Sequence, residues 1–275
     1  MLTEQVVLIT GCSSGIGRAL AVEFATQGHR VIASARRPES IADLTDRHIE
    51  TAQIDVTDPA SIKDAVSTIV AAAGRIDILV NNAGFGQIAP MIDVPIEKLR
   101  LQLETNVIGA VAMMRAVAPH MIRQRSGRIV QIGSVSGILT TPFAGSYCAS
   151  KAALHALSES ARMELKPFGI DVIVVQPGGV TTRFGDTSTS HIVLRPGSAY
   201  GDIADHIAAR AQTSQHGAAP VDRVARQIVA AATRTRPPRV LRVGRGGHRY
   251  PLIKRLLPDA LLDRILMKMF GLMEL

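Results

Sequence analysis

The sequence predicts a single-domain α/β fold, a doubly wound parallel sheet with helices on both faces. Three observations predict it. Strand-like and helix-like segments alternate through most of the 275 residues, which implies right-handed crossovers between parallel strands. Hydrophobic residues make up 47% of the chain but aromatics only 3%, an aliphatic core of the kind buried parallel strands build. No internal repeat, low-complexity tract or linker divides the chain, so residues 1–275 read as one domain.

The elements follow in order. Val6–Thr10 reads as a first strand and Gly15–Gln27 as a helix, with Gly28 in the place of a C-cap glycine. Arg30–Ser34 and Ile49–Ile54 are the next strands. Asp58-Pro59 then opens a helix with apolar periodicity through Ala73. Ile78–Val80, Arg128–Ile132 and Asp171–Val175 are short β-branched runs punctuated by Gly or Pro. A helix holding Tyr147 runs to about Leu165, Pro220–Thr233 has helical spacing, and Arg239–Val243 is a last strand. Thr182–Gly217 stands apart: it is rich in Ser, Thr and Gly, with a weak helical pattern near Asp202–Arg210. Its length and its place after a strand's carboxyl end predict a substrate-binding lid.

The first turn carries chemistry. Thr10-Gly11-Cys12-Ser13-Ser14-Gly15-Ile16-Gly17 joins strand to helix. Glycines there let the backbone approach a pyrophosphate, and a helix start offers it unpaired N–H groups. A bare tight connection is the alternative, and the position after a first strand favours the cofactor loop. The second strand ends Ser34-Ala35-Arg36-Arg37. An NAD site places an acid there for the ribose hydroxyls; two cations instead favour the 2′-phosphate of NADP(H), with NAD(H) as the alternative and a solvated turn as the plainer reading.

Tyr147-Cys148-Ala149-Ser150-Lys151 puts tyrosine and lysine four apart on one helical face. A nearby ammonium stabilises a phenolate, which would make proton exchange with an alcohol feasible. Ser134, at the end of strand Arg128–Ile132, could hydrogen-bond a substrate oxygen. Each piece alone has a plain reading, a surface pair or a turn serine; the ordered set does not.

Taken together these residues resemble the short-chain dehydrogenase/reductase family, whose fold is the Rossmann-type sheet. Asp55-Val56-Thr57 is similar to its adenine-contacting segment and Asn81-Asn82-Ala83-Gly84 to its motif after the fourth strand. Pro177-Gly178 with Val180 and Thr182 resembles the nicotinamide-side loop. The resemblance implies a tetrad of Asn106, Ser134, Tyr147 and Lys151. In it Ser134 polarises the carbonyl, Tyr147 donates the proton and Lys151 holds the ribose and lowers the Tyr147 pKa. Asn106 positions a water that links Lys151 to solvent. The dinucleotide contacts it implies are Thr10, Gly11, Ser13–Gly17, Arg36, Arg37, Asp55, Val56, Asn82, Ala83, Gly84, Tyr147, Lys151, Pro177, Gly178, Val180 and Thr182. Leu154–Glu159 and Glu164–Ile170 are most similar to the 17β-hydroxysteroid and retinol dehydrogenase branch, which implies a steroid-, retinoid- or lipid-like alcohol or ketone. Family members are commonly homodimers or homotetramers, so the resemblance implies an oligomer here.

The +8 formal charge is local: eight cations lie between Arg234 and Arg255, and the other 23 balance 23 acids. Residues 256–275 carry Leu261, Leu262, Ile265, Leu266, Met269 and Phe270 at helical spacing. Such a stripe is more often packed over a cleft or a partner than laid on an anionic membrane, and the packed reading is preferred. Nucleic acid is disfavoured because the patch has Tyr250 as its one aromatic and no recognition motif. His191, His206 and His216 lack metal-ligand spacing, so no metal is expected. The two cysteines, the absence of a basic leader before Val6 and the lack of a spanning run predict a cytoplasmic protein. A non-catalytic redox sensor would be expected to lose Tyr147 or Lys151. A methyltransferase would want an acid where Ala35-Arg36 stands.

Overall fold

A computed structural model describes residues 4–275; the first three residues of the expected domain lie outside the described part. Seven strands form one parallel sheet in the order β3-β2-β1-β4-β5-β6-β7. They are β1 (Val6–Ile9), β2 (Arg30–Ala35), β3 (Glu50–Gln53), β4 (Ile78–Asn81), β5 (Gly127–Ile132), β6 (Ile170–Pro177) and β7 (Val240–Val243). The chain winds outward from β1 to β3, then returns to lay β4 on the other side of β1. That reversal opens a crevice at the carboxyl ends of β1 and β4.

Alternation along each strand feeds two cores. Val7 and Ile9 face one side with Val31, Ala33, Val80, Val130 and Val175. There they meet Leu20 and Phe24 of helix α1 (Gly15–Thr26). Val6 and Leu8 face the other, against Val66 of α2 (Pro59–Ala73). The run α3 (Ile96–Leu103), a π-helical turn (Glu104–Ile108) and α4 (Gly109–Gln124) packs Met113, Val117 and Met121 on that same face. Helix α5 spans Gly145–Leu165. Both cores are aliphatic, and Phe24 is their one buried aromatic.

The predicted strands and helices are present to within one to three residues of their expected ends. The α3–α4 run carried no assignment in the sequence, because the wide π turn resets the helical register and Pro119 stands inside α4. The expected lid is more ordered than its composition suggested, with α6 (Phe184–Ser190) and α7 (Ala204–Gln212). In α6 the Ser/Thr side chains bond to their own helix: Thr187 Oγ1 donates to Arg183 O at 3.1 Å and Thr189 Oγ1 to Gly185 O at 2.9 Å. After α8 (Val221–Ala232) and β7, two further helices end the fold, α9 (Arg249–Leu256) and α10 (Asp259–Met269). A third, smaller cluster joins Ile203, Ile207 and Ala211 of the lid to Phe143, Cys148 and Phe270. The terminal stripe thus packs in part against the lid.

Candidate active site

The crevice is built on one threonine. Beyond β1, the Thr10 hydroxyl accepts from the backbone N–H groups of Asn82 at 3.0 Å and Ala83 at 3.1 Å. The Asn82 amide returns the tie, donating to Thr10 O at 2.9 Å and Gly11 O at 3.0 Å. Two loops are locked together, and glycine is required where they touch. Gly11 has φ +72°, and a Cβ there would lie 2.8 Å from Ala83 Cα. A Cβ on Gly17 would collide with the Asn82 amide.

Helix α1 starts at this cradle with Ser14 as its N-cap, making no side-chain cap bond, and with no acid in its first turn. Its first N–H groups are left for a ligand. A glycine cradle at an uncapped, acid-free helix start fits the pyrophosphate of a dinucleotide.

At the far end, buried Ala35 closes β2 and exposed Arg36 follows. Arg36 lines the cavity beside Asp55 and Val56. Asp55 is oriented by a turn in which its Oδ1 accepts from Thr57 N at 2.9 Å and Thr57 Oγ1 at 2.7 Å. Arg37 stands at the N-cap of the 3₁₀ helix Pro38–Arg47 rather than along the cavity.

The other wall comes from β5 and α5. Ser134 caps a short 3₁₀ turn, its hydroxyl accepting from Ser136 N at 3.1 Å, which leaves the hydroxyl proton to donate. Lys151 Nζ donates to Ile132 O at 2.8 Å and lies 5.8 Å from the centre of the Tyr147 ring. Burial pushes the Lys151 ammonium down to about 8. Burial also pushes the Tyr147 phenol up to about 12, against the pull of the Ser134 hydroxyl beside it and of Arg210. This differs from the sequence expectation that Lys151 lowers the tyrosine: in the protein alone desolvation outweighs the groups that lower it, which favours the protonated phenol.

Asn106 sits in the π turn, fully buried. Its Oδ1 accepts from Phe85 N at 3.1 Å, and its Nδ2 donates to Phe85 O and to Ser150 Oγ, each at 3.0 Å. The side chain is spent on the loop after β4, close behind Gly84 and Lys151. Both cysteines are buried, which pushes the Cys12 thiol up to about 12 and raises Cys148 too, disfavouring the thiolate.

A cavity of about 730 Å³ connects these parts. It takes in Ser134, Tyr147, Lys151, the Ser13–Ile16 turn, Asn82–Gly84 and the Pro177–Thr182 loop; Thr10, Gly17 and Asn106 stand behind its surface. The lid crosses it. Arg183 Nη2 donates to Ser13 O at 3.2 Å, Val193 N to Ile88 O at 3.0 Å, and the Phe184 ring centre is 5.5 Å from that of Tyr147.

Sequence reasoning missed Phe184 and Arg210, both of which line the cavity. For Arg210 a signal existed: it falls among Ile203, Ile207 and Ala211, a cation on the apolar face of a helix. Among the described residues, no group of three His, Cys, Asp or Glu is placed to hold a metal, and no helix is long and apolar enough to cross a membrane.

A family model described as short chain dehydrogenase matches residues 5–192. This chain belongs to the short-chain dehydrogenase family. The resemblance read from its motifs is thereby borne out, and the chain is an oxidoreductase of that family. It is 34% identical over 268 residues to the uncharacterized oxidoreductase YbbO of Escherichia coli K12, covering 96% of this chain and 94% of that one. It is 39% identical over 186 residues to 3-ketodihydrosphingosine reductase of Bacteroides thetaiotaomicron, covering 67% of each. To an NADPH-dependent 1-acyldihydroxyacetone phosphate reductase of Schizosaccharomyces pombe it is 40% identical over 185 residues, 66% of this chain and 62% of the other.

Among solved structures, a short-chain dehydrogenase of Streptomyces avermitilis superposes with a TM-score of 0.81 at 29% identity, covering 99% of this oxidoreductase and 97% of that chain. A serine dehydrogenase complexed with NADP+ gives 0.76 at 29%, covering 87% and 94%. A Burkholderia phymatum relative in complex with NAD gives 0.78 at 25%, covering 93% of each.

Proposed function

We propose that this enzyme is an NADP(H)-dependent reductase of ketones or aldehydes, running in reverse on secondary alcohols, with a lipid-like substrate. The observation that carries the reading is the convergence of Ser134, Tyr147 and Lys151 on one cavity with an uncapped helix start at its other end. When bound, the dinucleotide supplies or takes the hydride. Gly11, Ser13–Gly17 and the α1 start would hold its pyrophosphate, Arg36 its 2′-phosphate, Asp55 and Val56 its adenine, and Asn82–Gly84 with Pro177–Thr182 its ribose and nicotinamide side. Ser134 donates to the substrate oxygen. Tyr147, protonated by virtue of its burial, delivers the proton to that oxygen. Lys151 holds the ribose and, with the Asn106 turn behind it, returns a proton from solvent.

NADP(H) is preferred because β2 ends without a carboxylate and Arg36 faces the cavity. A relative named for NADPH and an NADP+ complex support this, while the NAD complex shows the fold accepts either. The lipid-like class is supported by the apolar wall of Leu262, Leu266 and Phe270 and by two relatives named for long-chain or acyl substrates.

The test is cofactor titration followed by a ketone panel, comparing wild type with Tyr147→Phe. Expected are tighter binding of NADPH than NADH, and a variant that binds NADPH normally but turns over at least about 10³-fold more slowly, within the range a positioned acid contributes. NADPH binding with no turnover of any carbonyl would overturn the catalytic reading. Equal or tighter binding of NADH would overturn the Arg36 assignment.

A further inference from the structure

Arg210 is a cation in an unusual place. It lies near the end of α7, where Ile203, Ile207 and Ala211 are buried, and it reaches back to the loop in front of α5. Its Nε and Nη2 donate to one oxygen, Thr141 Oγ1, at 3.1 and 2.8 Å. Its guanidinium carbon stands 5.6 Å from the centre of the Phe270 ring.

No carboxylate lies within ion-pair distance of it among the described residues, and Nη1 has no acceptor there. The acid in this corner, Glu274, is paired with His206 at 3.3 Å instead. The side chain is part-buried, held by one threonine hydroxyl and one ring face, with its charge unmatched by any carboxylate among the described residues. Burial accordingly lowers its pKa, and its nearest ionisable neighbours are Cys148, Tyr147 and Tyr250.

The position is on the substrate side of the cavity. Arg210 and Tyr147 line the same space, as do Thr141 and Phe270. The glycine cradle lines another part of the cavity, tied to Asn82 and beside Thr182. Beyond Phe270 the wall continues as Ile253, Leu262, Leu266 and Met269. The sequence of surfaces is a proton donor, then an unpaired cation, then hydrocarbon.

We propose that Arg210 is a specificity-determining residue that binds an anionic group, a phosphate or a carboxylate, carried by the substrate close to its carbonyl, while the substrate's apolar chain lies along α9 and α10. The inference rests on Tyr147 marking where the carbonyl sits. A planar fork with Nη1 free suits either anion. A neutral steroid- or retinoid-like ketone would bring no charge to match it.

The test is calorimetric binding of dodecyl phosphate, dodecanoate and dodecanol, with and without saturating NADPH, to wild type, Arg210→Gln and Arg210→Lys. Expected is binding of at least one anion to wild type tighter than dodecanol by about tenfold or more, a preference erased in Arg210→Gln and partly kept in Arg210→Lys. The two anions show which headgroup the fork prefers. Equal binding of all three by wild type overturns the proposal, whether or not the glutamine variant folds. So does a glutamine variant that loses dodecanol as strongly as the anions, since Arg210 would then be only a strut between α7 and Thr141. The reductase reading fails separately. Anion preference without turnover of any keto analogue leaves the Arg210 site standing and removes the reductase. Turnover of neutral ketones without anion preference does the reverse.

Discussion

At the scale of single residues, the site is governed by what burial does to charge. His155 is buried one helical turn beyond Lys151, and its Nε2 accepts from the Ser134 backbone N–H at 3.4 Å. Burial, helped by the Lys151 charge, pushes the imidazole down to about 4. In the unfolded chain histidine titrates near 6.5. The unfolded state therefore binds more protons between those values, so stability falls as pH drops through 6.5 towards 4. The full penalty is on the order of 3 kcal/mol. His155→Gln keeps an acceptor for Ser134 N and removes the titration. Thermal melts at pH 4 to 7 should show a smaller acid loss in the variant, and parallel curves would show that His155 does not titrate as described. His155 was legible in the sequence only as part of a branch resemblance. Its support of the Ser134 turn came from tertiary packing, which no spacing along the chain encodes. Ser134, Tyr147 and Lys151 were legible because their separation follows directly from a strand end and a helical period.

At the scale of elements, the strand-to-helix turns were the most readable part, because each glycine there answers a backbone need. Gly17 is buried where α1 crosses Asn82, with no room for a methyl group against that amide and Gly11 O. Gly17→Ala should therefore cost roughly 1–3 kcal/mol. It should also weaken NADPH binding, since Asn82 holds the loop that would cradle the pyrophosphate. Urea unfolding and cofactor titration check both, and loss of stability with unchanged affinity would separate Gly17 from the site. The lid was the least readable element. Its helices are short, α6 is rich in Ser and Thr, and they are held by contacts made far along the chain, such as Gln215 Oε1 accepting from Thr182 N at 3.0 Å. Arg210 was lost with the lid, since a cation beside buried aliphatics has meaning only once Thr141 and Phe270 are known to face it.

At the scale of the whole molecule, the charge and hydropathy patterns resolve into surfaces. The basic excess falls on the loop between α8 and β7, on β7, on the loop after it and on α9, all exposed. The apolar stripe of α10 is divided: Leu262 is buried against the cavity while Leu261 and Met269 are 47% and 59% exposed. A second apolar surface lies on the central helices, where Ile108, Leu157 and Met163 are 52%, 43% and 61% exposed. These helices carry the Asn106 turn and Tyr147, which supports the homo-oligomer implied by family resemblance. Leu157→Glu with Met163→Glu should then lower the mass seen by light scattering towards that of one chain. A wild type already at 29.3 kDa would dispose of the oligomer. None of this was legible as surface in the sequence, because an apolar helical face reads the same whether it meets its own sheet or another molecule.

The hydrogen bond from Arg183 to Ser13 O has a kinetic meaning. The segment that roofs the substrate end also rests on the loop that would grip the dinucleotide, so both occupants share one door. A dinucleotide seated beneath a closed roof cannot depart while substrate keeps the roof down. Such a vestibule predicts ordered traffic, with the nucleotide first to arrive and last to leave.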